Sequence, residues 1–111
     1  MREKTHTIVG WITLALGLVH LGLAFLAPAL TQEILWFAGS GLAIICAALG
    51  NIFRPVKAGR AHGLSLATQN IMLTSFFGAA WLVLPQPQVA IGGGLFIVLS
   101  VFSMLDLRQP R

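Results

Sequence analysis

The sequence predicts an all-α fold: an integral membrane bundle of four transmembrane helices with both termini cytoplasmic. Three observations carry this expectation. Of 111 residues, 57% are hydrophobic and 9% charged, whereas soluble domains average roughly 25% charged residues. The charge-free stretches are long enough to cross a bilayer. Every Lys and Arg falls on one side of the resulting layout. A chain this small cannot bury so much apolar surface in its own core, so lipid is the expected solvent for the remainder.

The helices follow in chain order as one domain, residues 1–111. Thr7 to Gln32 and Ile34 to Phe53 carry no Asp, Glu, Lys or Arg. Each exceeds the ~20 apolar residues that a bilayer core requires, which places helices over roughly 7–27 and 33–53. Ala61 to Leu105 is also free of those charges, but as one helix it would be about 67 Å long. It must turn once, and Pro85-Gln86-Pro87-Gln88 is the break, because proline cannot continue a helix. This gives helices over roughly 63–84 and 88–106. In lipid, continuous apolar runs form helices because their backbone groups must bond internally.

The first run also has the outline of a signal peptide, with a basic start and Ala27-Pro28-Ala29. Its apolar stretch is long for that role, so it is read as a membrane anchor. Gly-x-Gly-Leu-x-Ile occurs at Gly39–Ile44 and again at Gly92–Ile97. The echo is open to two readings, duplicated halves or convergence on small-residue helix composition.

The net charge of +4 does not indicate nucleic acid. Arg2, Lys4, Arg54, Lys57, Arg60, Arg108 and Arg111 lie in short flanks and one loop. That asymmetry follows the positive-inside rule and puts both termini in the cytoplasm, the natural site being a bacterial inner membrane. Trp36 and Trp81 fall near the outer interface and Trp11 near the inner one. The single cysteine, Cys46, excludes an intrachain disulfide and reads as a small packing residue. Glu33 suits the start of helix 2, and Asp106 with Arg108 reads as a surface pair. No carboxylate lies within a span, and no phosphate loop, paired-carboxylate site or Ser-His-Asp set occurs. Nothing therefore points to an enzyme, and no catalytic residue is assigned.

Helix association in lipid relies on small residues and interhelical hydrogen bonds. Each helix carries one such stripe. Helix 1 has Gly10, Thr13, Gly17, His20, Ala24 and Ala27. Helix 2 has Gly39, Ala43, Ala47 and Gly50, with Asn51 beside them. Helix 3 has Gly63, Ala67, Asn70, Thr74, Gly78 and Trp81. Helix 4 has Gly93, Phe96, Ser100 and Ser103. These stripes are expected to face inward, or a second protomer in a homodimer.

His20 is the one ionisable residue deep in a span, which makes it a functional hypothesis by default. Three roles stay open: a packing hydrogen bond, contact with a polar group of a small hydrophobic ligand or carriage of a proton, and axial ligation of haem. His6 and His62 are placed at the inner surface and offer no second intramembrane histidine. No metal-site spacing appears. The candidate ligand contacts are His20, Gly17, Thr13, Asn51, Asn70, Thr74 and Ser100. No cofactor is implied outright, and haem on His20 is the one left open.

Length, four spans and Gly-rich helices resemble the small four-helix bacterial inner-membrane proteins of the DoxX-like kind. The resemblance covers the chain only in that general character, and no residue roles transfer from it. The length is also similar to that of small multidrug resistance transporters, which use a glutamate in helix 1 where this chain has only His20. The leading expectation is a protein that binds a small hydrophobic ligand or supports a membrane partner. A haem- or quinone-linked electron-transfer component and a small-molecule transporter are the alternatives.

Overall fold

A computed structural model describes residues 2–55 and 59–108. It contains α1 (Arg2–Phe25), α2 (Gln32–Ile52), α3 (Arg60–Val83) and α4 (Pro87–Leu107), with no strand among the described residues. All four are long and apolar enough to cross a membrane. The 24-residue helices α1 and α3 are about 36 Å long at about 1.5 Å per residue, against a hydrocarbon core of about 30 Å.

The ends differ from expectation by a few residues. Helix α1 starts at Arg2, not Thr7, and Glu3 in its first turn suits the helix dipole. It stops at Phe25, not Ala27. Pro28 disfavours helical geometry just before it, and the chain leaves through turn bonds from Leu26 N to Leu23 O and Ala27 N to Ala24 O, both 3.2 Å. Thr31 caps α2 by accepting from Ile34 N at 3.2 Å. Helix α3 begins at Arg60 and α4 at Pro87, where a proline without an N–H costs nothing. The break at Pro85–Gln88 is where it was expected.

Packing makes two tight pairs. Helices α1 and α2 lie close through glycine. A Cβ on Gly17 would sit 2.8 Å from Ile45 Cγ1, and one on Gly41 would sit 3.0 Å from Leu21 N. Helices α3 and α4 are joined by Phe77, whose ring lies over Gly92 and stacks on Phe96 at 5.6 Å. The pairs meet across α1 and α4, where Val9 packs against a core of Ile44, Ala47, Phe77, Val89, Phe96 and Leu99. Helices α2 and α3 touch mainly at the end of the bundle that carries the termini. Farther along they stand apart.

The inward stripes hold in part. Gly10, Thr13, Gly17, Ala24, Ala47, Ala67, Asn70, Phe96, Ser100 and Ser103 are buried. Gly39, Ala43, Gly78 and Trp81 are exposed instead. In α3, Phe77 takes the inward position expected of Gly78. In α2 the buried face is Gly41, Ile44, Ala48 and Ile52, turned to α1. Gly39 and Ala43 are left on the open side.

Candidate functional site: a polar clamp and an apolar cleft

At the end carrying the termini, four helices contribute to one buried polar cluster. Asn51 on α2 and Asn70 on α3 pair reciprocally. Asn51 Nδ2 donates to Asn70 Oδ1 at 2.8 Å, and Asn70 Nδ2 donates to Asn51 Oδ1 at 2.9 Å. Asn51 Nδ2 also reaches Ala47 O at 2.8 Å. Asn70 Nδ2 reaches Leu99 O at 3.3 Å and Ser103 Oγ at 3.2 Å on α4. Thr74 Oγ1 donates to Asn70 O at 2.8 Å and meets Ser100 Oγ at 3.0 Å.

His6 completes the cluster from α1. It is 1% exposed, stacks on Phe102 at 5.4 Å and sets Nε2 at 2.9 Å from Asn51 Oδ1. The Ala47 carbonyl requires a nitrogen at the other end of the Asn51 amide, so its oxygen faces His6. Nε2 therefore carries the proton and donates. The other ring nitrogen lies 3.8 Å from Asp106 Oδ2.

Around it, Arg2 pairs with Asp106 at 3.1 Å. Arg54 donates to the Asn51 carbonyl at the end of α2, to Thr7 Oγ1 and to Glu3 O. Burial pulls the Arg54 guanidinium below its ordinary pKa, opposed by the charges of Asp106 and Glu3. Asn51 and Asn70 are each 0% exposed and His6 is 1% exposed, so nothing from outside reaches the middle of the clamp.

His6, expected at the inner surface of the membrane, is buried among the helices at the end that carries the termini. It extends the α1 stripe one step back from Gly10 at spacing four, a signal the sequence contained. Asp106 pairs with Arg2, which is 104 positions away, and not with neighbouring Arg108.

The candidate contacts read from the sequence divide into three groups. Asn51, Asn70, Thr74 and Ser100 come together in the clamp. Thr13 donates within its own helix to Val9 O at 2.8 Å, and the space above Gly17 is filled by Ile44 and Ile45, so no flat cofactor can approach there. His20 stands apart on the α1–α2 seam. Its ring stacks on Phe37 at 3.7 Å, and its Nε2 is enclosed with no hydrogen-bond partner. An axial haem ligand needs an open approach to such a nitrogen. Among the described residues, no group of three His, Cys, Asp or Glu side chains is placed to hold a metal ion.

A large concavity lies elsewhere. Where α2 and α3 diverge, a cleft of about 660 Å³ opens between them. Its α2 wall includes Trp36, Gly39, Ser40, Ala43, Cys46 and Ala47, and its α3 wall includes Gln69, Met72, Leu73, Phe76 and Phe77. Cys46 is thus exposed along the cleft and does not pack in the interior. None of the seven sequence-derived candidates lines it. No charged residue lines it either. The clamp closes it at one end, because Asn51–Asn70 is where α2 and α3 are held together.

No protein-family model, curated protein or solved structure matches this chain.

Proposed function

We propose that this chain is an integral membrane protein that binds a small hydrophobic ligand in the cleft between α2 and α3. The observation that carries the reading is the cleft itself. Its 660 Å³ lies within the roughly 300–1,000 Å³ of small-molecule sites, and its wall of aromatic and aliphatic side chains with few polar groups is the usual composition of such sites. The ligand sits there and not against His20, whose Nε2 is enclosed. Membrane placement rests on the four apolar helices. Arg2, Lys4, Arg54, Arg60 and Arg108 gather at one end, which favours both termini on the cytoplasmic side of a bacterial inner membrane. Lys57 and Arg111 of the same basic set lie outside the described residues.

The test uses Trp36, which lines the cleft. With Trp11→Phe and Trp81→Phe it becomes the only tryptophan. In phosphatidylcholine nanodiscs, 1-bromododecane is expected to quench Trp36 saturably, and Ala43→Phe, which fills the cleft, abolishes the saturable part. Quenching that only rises linearly with the bromoalkane, equally in both variants, reports partition into lipid and overturns the proposal.

A further inference from the structure

We infer that the cleft selects a neutral single-chain amphipath, and that the Gln69 carboxamide is the group that recognises its hydroxyl or carbonyl head. This rests on the cleft being a ligand site and adds to it the class of molecule. Gln69 is the α3 residue that enters the cleft lining nearest the clamp. Its side chain reaches across toward α2, where a Cβ on Gly50 would come within 3.3 Å of Nε2. Glycine at 50 leaves the amide this room.

The neighbouring polar groups are occupied. Asn51 and Asn70 satisfy one another, His6, Ala47 O, Leu99 O and Ser103. The Ser40 hydroxyl, also in the lining, spends its proton on Trp36 O at 3.0 Å. Gln69 alone in the lining has a carboxamide, and it makes no side-chain hydrogen bond with any described residue. Nine residues into α3, it is about 14 Å along the helix axis. A primary amide facing hydrocarbon without a partner is strongly disfavoured. A bound head that accepts from Nε2, or donates to Oε1, removes that penalty.

The rest of the lining defines the remainder of the molecule. It holds no Lys, Arg, Asp or Glu, so a charged head such as a phosphate or carboxylate finds no counter-ion. From Ala47 to Trp36 the α2 wall runs about 16 Å at about 1.5 Å per residue. That is room for a chain extending from Gln69 past Met72 and Phe76 to Trp36. Small residues along α2, Ala43 and Gly39, keep this path open.

The experiment compares 12-bromododecan-1-ol with 1-bromododecane in the single-Trp36 protein in nanodiscs. The two differ only in the hydroxyl. The alcohol is expected to bind about fivefold more tightly, the ratio one net hydrogen bond supplies. Gln69→Leu is expected to erase that preference while 1-bromododecane binds as before, which also reports that the variant is folded. Equal affinity of the two compounds, or a preference that survives Gln69→Leu, overturns the role of Gln69 but leaves the cleft as an apolar site. No saturable quenching by either compound overturns the ligand site itself. A dimer in nanodiscs that dissociates on Gln69→Leu overturns the inference as well, because the amide then pairs with a second copy.

Discussion

Breaking the Asn51–Asn70 pair tests whether the clamp holds the two helix pairs together. Each single substitution to Leu removes both mutual hydrogen bonds, at 2.8 and 2.9 Å. Asn51→Leu also strands His6 Nε2, and Asn70→Leu also releases Leu99 O and Ser103 Oγ. Interhelical hydrogen bonds in membrane proteins average about 0.6 kcal/mol each, so either variant is expected to lose roughly 2–3 kcal/mol of stability. Asn51→Leu is the costlier, because it leaves a buried donor without an acceptor.

The sharper quantity is the coupling. The two mutual bonds are lost in both single variants but only once in the double. The double variant should therefore be more stable than the sum of the singles implies, by about 1.2 kcal/mol and at most about 3.4 kcal/mol. Denaturant titration in mixed micelles measures all four corners of the cycle, with helicity confirming each folded state. Additivity to within about 0.3 kcal/mol would refute the pair as a unit.

Other substitutions probe the packing and the cleft. Gly41→Ala drives a Cβ to 3.0 Å from Leu21 N and 3.2 Å from Leu21 Cα, backbone atoms that cannot swing aside. It is expected to cost about 1–3 kcal/mol in the same titration. Gly39→Ala on the same helix meets nothing within 4 Å and should change stability by less than about 0.5 kcal/mol; equal costs would contradict the pairing of α2 with α1. His20→Phe keeps the stack on Phe37 and deletes the unpaired Nε2, so stability should hold or rise. A loss above about 1 kcal/mol would mean that nitrogen has a partner in the membrane. Cys46 should react with a membrane-permeant maleimide in the folded protein, and Ala43→Phe should slow the reaction. Labelling at a rate unchanged by Ala43→Phe would mean that the thiol does not face the cleft.

How much was legible in the sequence differs from element to element. The break at Pro85–Gln88 was plain, because proline acts on the residues beside it. The inward direction of Thr13, Asn70, Ser100 and Ser103 was readable from spacing along each helix. Ser40 and Gln69 were visible as polar residues within spans, yet nothing local separated them from Asn51 and Asn70. The clamp needs two helices to bring amides face to face, while Gln69, next to Asn70 in the chain, points a third of a turn away into the cleft. The burial of His6 was not read, because its neighbours in sequence are polar. Its burial depends on Phe102 and Asn51, far along the chain.

The sequence by itself determined four apolar spans, their connections and the gathering of basic residues at one end. These follow from run lengths, prolines and charges, all local properties. Only the tertiary structure decided which stripe meets which helix. Lipid and protein interior are equally apolar, so hydropathy gives no contrast between a face turned to a neighbour and one turned to the bilayer. The contrast comes from shape. Glycines at 10, 17 and 41 let α1 and α2 close, and Phe77 over Gly92 locks α3 to α4. With the bulk of Phe77 committed to α4, nothing fills the space beside Gly39 and Ala43, and the cleft stays open there.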